Sequence, residues 1–262
     1  MMSADQQAQI QAFIVSWTGQ SDNARLIASQ LAPSFPDICT IYSNKDDTTE
    51  TGPGIWVKVP DDYFFGRKFR EIAKRFTGTH CFIITADVSC HDWLKATGSL
   101  RAAIAQFGDD MGVWSPKIDH SGMSIAKNEL TRVAGTHYKV MTYSDSIVWC
   151  LSKELMEKMM ALDYECNNLG WGVDRSASLI THAQNKLVVF DDSVEINHPP
   201  SRGYSNDAAK RQLSVFFRQI PWSVKLHGLY LTRALRRFPM IRSKLYALVK
   251  PARLVQKYLQ AG

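Results

Sequence analysis

The stretch Cys81-Phe82-Ile83-Ile84-Thr85-Ala86-Asp87 is an apolar run that stops on a carboxylate. Its length and β-branched content predict a buried strand, and an acid at a strand's C-terminal edge stands where open α/β sheets place their ligands. An acid after a strand is also an ordinary turn or cap residue, so the surroundings decide. Upstream, a short apolar run over 12–17 gives way to the turn Thr18-Gly19-Gln20, and Ser21 is placed to cap a helix reaching Leu31. A second strand over 38–42 closes on the polar stretch Ser43 to Asp47, and a helix over 63–76 leads into the strand ending at Asp87. Downstream follow a helix over 93–107, strands around 112–114 and 146–150, a helix over 153–162 and a late strand over 186–190 before Asn197-His198-Pro199. Strands alternating with helices imply a parallel sheet with right-handed crossovers.

The chain's 262 residues are 45% apolar, ample for a packed core. Five cysteines with no CxxC spacing read as reduced core thiols, not as a disulfide scaffold. The N-terminus lacks a basic region followed by an apolar stretch, and no run approaches the roughly 18 apolar residues of a spanning helix. Together these predict a cytoplasmic protein. Charge is unevenly placed. After Asp207 there is no acidic residue, while 12 Lys and Arg lie between Lys210 and Lys257, leaving 19 basic against 25 acidic residues before them.

A second motif begins 82 residues after Asp87: Leu169-Gly170-Trp171-Gly172-Val173-Asp174. It joins an aromatic face, two conformationally free residues and an acid, the equipment for holding a sugar ring and removing a proton from its hydroxyl. Taken alone, it also reads as a tight turn whose Asp174 caps a helix beginning near Arg175. Arg67 and Lys68 read as solvated charges on an amphipathic helix or as donors to a bound anion. His198 stands after the late strand, and Asp191-Asp192 reads as a turn.

In order and layout these motifs resemble GT-A-fold glycosyltransferases, in particular the large inverting family 2. The resemblance covers about residues 10 to 205. It implies a Rossmann-like mixed α/β sheet flanked by helices, with a nucleotide-sugar-binding half over 1–110, an acceptor half over 111–207 and a basic helical tail over 208–262. It places Ser16, Trp17 and Thr18 near the nucleobase, Ser43, Asn44 and Asp46 near the nucleoside, and Arg67, Lys68, Ala86, Asp87 and Ser89 along the donor. Asp87 and His198 would hold a divalent cation, Mn²⁺ or Mg²⁺, opposing the diphosphate's charge. Trp171 and Gly172 would face a carbohydrate acceptor, and Asp174 would be the base. One departure stands out: the family's Asp-x-Asp is Asp87-Val88-Ser89 here, so the second carboxylate is missing and the metal requirement is open. The implied activity is inverting transfer from a nucleotide sugar, a UDP-sugar first among them, to an acceptor on a lipid carrier in polysaccharide or glycolipid assembly. A sugar nucleotidyltransferase uses a similar sheet, but no Gly-rich triphosphate loop is present near the N-terminus. A non-enzymatic membrane or nucleic-acid adaptor is the third reading.

From Trp222 to Leu259 apolar residues recur at helical spacing, as in Leu231, Leu235 and Phe238 or Ile241, Leu245 and Leu248, with basic residues between. Pro239 and Pro251 divide the segment into short helices. Basic and apolar sides together suit helices lying in an anionic membrane interface on the inner, cytoplasmic face, while the same spacing also suits docking on the body. No nucleic-acid recognition motif accompanies the charge, so no nucleic-acid partner is expected.

Overall fold

The computed structural model describes residues 9–46, 48–119, 123–199, 205–234, 237 and 241–259. Leu235, Arg236, Phe238 and Pro239 of the tail pattern lie outside them.

The described strands form one nine-stranded mixed sheet in the order β3-β2-β1-β4-β8-β5-β9-β7-β6. Its first four members are β1 (Ile10–Ser16), β2 (Cys39–Tyr42), β3 (Ile55–Lys58) and β4 (His80–Thr85). All run parallel, with α1 (Ser21–Leu31) and α2 (Phe65–Arg75) as crossovers. Beyond β4 the sheet reverses. β8 (Val148–Ser152) inserts antiparallel between β4 and β5 (Met111–Ile118), and β9 (Leu187–Ile196) runs parallel to β5. A short helix, α4 (Ile125–Asn128), leads into the hairpin of β6 (Glu129–Arg132) and β7 (Tyr138–Met141), which completes the far edge. The parallel pairing expected from strand–helix alternation holds for this first half, and the sheet as a whole is mixed, as the resemblance implies.

Alternation along β1 divides the core in two. Ala12 and Ile14 face a layer containing α1 and α3 (Trp93–Phe107), and Phe13 and Val15 face one built by α2, α5 (Lys153–Met160) and α6 (Val173–Ala183). One boundary moves: Ser21 begins α1 while Gln20 occupies the cap position. α3 spans the expected residues, and Asp92 caps it by accepting a hydrogen bond from Lys95 N at 2.9 Å. Asp191 is no turn residue: it is buried within β9, where Ser99 of α3 and Ser193 donate to its carboxylate. Among the described residues no helix is long and apolar enough to cross a membrane.

The tail divides. After α7 (Asn206–Arg218) and α8 (Trp222–Leu229), the chain buries Leu231, Tyr246, Leu254, Tyr258 and Leu259 in the core layer shared with α3. Arg253 and Lys257 pair with Asp110, to which Tyr258 also donates. Lys250 is buried, donating to the carbonyls of His182 and Lys186 at 3.2 Å each, and burial lowers its ammonium to about 8. These residues are docking elements of the body.

Candidate active site

β1, β2 and β4 run parallel, so Ser16, Ser43 and Ala86 emerge at one edge of the sheet. Two successive reversals, β4 to β8 and β8 to β5, bring the C-terminal ends of β5 and β9 to that same edge. This sheet order carries His198 to Asp87 across 111 positions of chain. A two-residue bridge makes the register fixed: Ser89 N donates to Asn197 O and Asn197 N to Ser89 O, both at 2.9 Å. His198 Nε2 then lies 3.2 Å from Asp87 Oδ2. That hydrogen bond and Asp87's charge raise the imidazole above its ordinary value, with Asp145 adding to the effect. The loop has a brace that sequence reading missed. Asn23 of α1 donates through Nδ2 to Ala86 O at 2.6 Å and to Val88 O at 2.8 Å.

Asp87 Oδ1 and His198 Nδ1 are buried with no hydrogen-bond partner, as are Ser16 Oγ, Asn44 Oδ1 and Thr85 Oγ1 along the same edge. Unpartnered buried polar atoms occur elsewhere too, at Trp114, Trp149 and Tyr246 for instance, but at this edge they adjoin the Asp87–His198 pair and leave acceptors free for a ligand. No group of three or more His, Cys, Asp or Glu among the described residues is arranged to hold a metal. A carboxylate and an imidazole nevertheless suit a divalent ion that takes its other ligands from a diphosphate and water.

The other donor-side residues separate. Lys68 is not solvated: its Nζ is buried and donates to Ser16 O at 2.6 Å and Ser43 Oγ at 2.8 Å, tying β1 to β2 beneath the edge. Burial lowers its ammonium to about 7, against the pull of Asp61. Trp17's ring centroid lies 6.0 Å from Nζ. Thr18 Oγ1 donates to Asp61 Oδ1 and accepts from Lys45 N, while Asn44 Nδ2 donates to Thr48 and Asp46 sits exposed in the following turn. Arg67 is directed elsewhere. It pairs with Asp62 and Glu165 and stacks on Tyr63, which corrects the picture of Arg67 and Lys68 as adjacent donors.

Gly170 and Gly172 both hold φ +81°, which an L side chain rarely adopts. Their turn is clamped from two directions. Asn168 Oδ1 accepts from Phe64 N and its backbone O accepts from Gly66 N, while Leu213 and Phe217 of α7 close over Gly172. Trp171 is half-buried and Gly172, not Asp174, occupies the cap position of α6. Asp174 lies in the first turn, where its Oδ1 accepts from Arg175 N at 2.7 Å. Burial, then the charge of Asp145, push its carboxyl up to about 7.

Asp145 is the acid that sequence reading did not single out. The loop between β7 and β8 climbs along α6: Met141 O meets His182 Nε2 at 2.9 Å, Ser144 N donates to Ser178 Oγ at 3.3 Å, and Arg175 stacks on Tyr143. At its top Ile147 O accepts from Thr85 N at the end of β4. One loop thus touches both the strand leading to Asp87 and the helix carrying Asp174, and the charge of Asp145 acts on His198 and Asp174 alike. Nothing in the local sequence Thr142-Tyr143-Ser144-Asp145-Ser146 advertises this.

No model of a known protein family matches the sequence, and no match is found among curated proteins. Solved structures do match. A mannosyltransferase, PcManGT from Pyrobaculum calidifontis, solved with GDP-Man and Mn²⁺, aligns over 95% of this chain and 79% of its own at TM-score 0.54 and 12% identity. GalNAc-T7, solved with UDP, GalNAc and Mn²⁺, aligns over 97% of this chain at TM-score 0.60 and 10% identity. This chain spans 58% of GalNAc-T7's length. TarS from S. aureus, residues 1–349, aligns over 94% and 77% of the two chains at TM-score 0.55 and 12% identity. With its mixed nine-stranded sheet and strand-edge site, the chain has a GT-A-like glycosyltransferase fold.

Proposed function

We propose that the protein is an inverting glycosyltransferase that moves a sugar from a nucleotide-sugar donor, a UDP-sugar first, to a carbohydrate hydroxyl. The observation carrying this is that the charge of Asp145 acts both on His198 of the Asp87–His198 pair and on Asp174, whose carboxyl is pushed up to about 7 and so is poised as a base near neutral pH. Cleavage of the anomeric C–O bond leaves negative charge on the departing diphosphate. Asp87 and His198 would hold a divalent cation, which would supply neutralising charge there. The Mn²⁺ in PcManGT and GalNAc-T7 supports that choice. Ser16, Trp17, Thr18, Ser43 and Asn44 flank the nucleoside. Lys68, set beneath them, holds β1 and β2 together and adds positive charge when protonated.

Asp174 accepts the proton of the acceptor hydroxyl as that oxygen attacks the anomeric carbon, and Trp171 offers the acceptor ring an apolar face. A single base opposite the leaving group gives inversion. The acceptor is placed on a lipid carrier at the cytoplasmic membrane face, in polysaccharide or glycolipid assembly. Supporting it are a tail without acids and the apolar residues exposed on it. The test is a thermal-shift panel of nucleotide sugars with Mn²⁺ and with EDTA, followed by transfer assays using the sugar that binds. Stabilisation by one nucleotide sugar, strengthened by Mn²⁺, is expected. Stabilisation by a nucleoside triphosphate with a sugar 1-phosphate, and not by any nucleotide sugar, would favour a nucleotidyltransferase.

A further inference from the structure

α8 packs against α6. Gly228 faces α6 so closely that a Cβ there would stand 2.0 Å from Leu179 Cδ2, which fixes the helix's rotation. Trp222, Leu226 and Leu229 fall at i, i+4 and i+7, one stripe of a helix, and point away from that contact, with 66%, 49% and 37% of their surfaces exposed. An ordinary helix buries such a stripe. Along the chain its charged neighbours are cations, while in space the exposed Asp163 is held at the end of α7 by Gln219. Arg211, Arg218 and Arg237 are exposed, Lys225 lies beside Leu226, and no acid follows Asp207.

We propose that this face of α8 docks on an anionic bilayer, with Trp222, Leu226 and Leu229 entering the headgroup boundary while the flanking cations meet lipid phosphates. Charge complementarity selects this occupant. Interfacial helices combine an apolar stripe including Trp with Lys and Arg at its margins, and each such cation gains affinity at an anionic surface. A second copy of the chain would set the same cations against each other. The deeper part of the tail has no share in the docking: Tyr246, Leu254 and Tyr258 are in the core, and Arg253 and Lys257 are held by Asp110. Because α8 packs on α6, whose first turn bears Asp174, docking would bring the acceptor side to the membrane, a link that rests on the function proposed above.

The test is co-sedimentation of the full chain with vesicles of phosphatidylcholine alone and of phosphatidylcholine with phosphatidylglycerol, at low and high salt. Binding to the anionic vesicles only, weakened by salt, with a blue shift of tryptophan emission, is expected. Trp222→Ser with Leu226→Ser should lower partitioning by about tenfold or more, the loss of two buried apolar side chains. Lys225→Glu with Arg218→Glu, which disturbs no packing, should lower it too while leaving the melting temperature unchanged. Equal sedimentation of wild type and both variants overturns the proposal, as does equal binding to neutral vesicles. Absence of vesicle binding together with a dimer that the Trp222 variant dissolves assigns the face to a second copy instead. Nucleotide-sugar binding measured on the same samples keeps the two readings separate: its failure would sink the glycosyltransferase assignment and leave the docking face standing.

Discussion

Replacing Asp174 with Asn should make the protein inactive and more stable at once. The carboxyl sits in the first turn of α6, part-buried, with Asp145 as a like charge, and is pushed from 3.8 to about 7. At about 1.4 kcal/mol per pH unit, that difference corresponds to about 4 kcal/mol of preference for the neutral form. Solvent reaches part of the side chain, so we expect about 1–3 kcal/mol to be realised. A carboxyl whose folded pKa lies above its unfolded value supports folding below about pH 4 and loses that support as pH rises to about 7. Asn keeps the oxygen that accepts from Arg175 N and carries no charge. Urea unfolding of Asp174→Asn and wild type should therefore nearly coincide near pH 4, with the variant gaining about 1–3 kcal/mol by pH 8, the other titrating groups cancelling between the two. Turnover at pH 8 should fall by about 10²–10⁴, as for loss of a general base, with the gap narrowing toward low pH as the wild type's own carboxyl is protonated. A variant less stable than wild type at pH 8 would refute the reasoning and make Asp174 a helix-terminus stabiliser. Unchanged turnover would place the base elsewhere.

Other outcomes follow from single contacts. Asp145→Asn should shift the acidic limb of kcat/KM to lower pH by about one unit by removing the like charge beside Asp174, and an unmoved limb would deny the coupling. Asp87→Ala should abolish transfer and Mn²⁺-assisted nucleotide binding and His198→Ala should weaken both; equal activity in Mn²⁺ and EDTA would remove the metal from the scheme. For Lys68, lowered to about 7, the unfolded chain holds the extra proton between about pH 7 and 10.5, so stability should rise with pH across that window. Lys68→Met should flatten that rise in part, Lys250 supplying the remainder, and an unaltered slope would mean the ammonium is not desolvated. Gly66→Ala, whose Cβ would stand 1.9 Å from Asn167 O, should cost more than about 2 kcal/mol in urea unfolding and weaken acceptor use; a silent substitution would show that the contact yields freely.

The donor half was the most legible part of the chain. Its strands are buried on both faces, so they read as continuous apolar runs, and the polar residue ending each run falls at the ligand edge. β3 escaped notice because its four residues are half-exposed at the sheet margin, and β6 and β7 are equally short. Contacts were less legible than elements. Lys68 and Arg67 are neighbours in one amphipathic helix, yet one turns under the sheet edge and the other outward to Glu165, a difference set by helix rotation that charge alone does not encode. Asn23 and Asp145 act through distant backbone and charge, without a local motif. The tail shows a further limit. Helical spacing marks an apolar stripe but not what covers it, so Leu254 in the core and Leu226 on the surface follow the same pattern.

The clamp on the Gly170–Gly172 turn bears on how such a site diversifies. Because α2 grips the turn through Gly66 and Asn168 while α7 presses on Gly172, the turn's path is set by two helices whose own positions depend on the rest of the fold. Insertions or length changes between 165 and 172 should therefore be lost to misfolding before they alter which acceptor is accepted. Tolerated novelty is channelled into side chains that point off the clamped backbone, such as Trp171 and Arg175. An engineer seeking a new acceptor should vary those tips and leave the turn itself untouched.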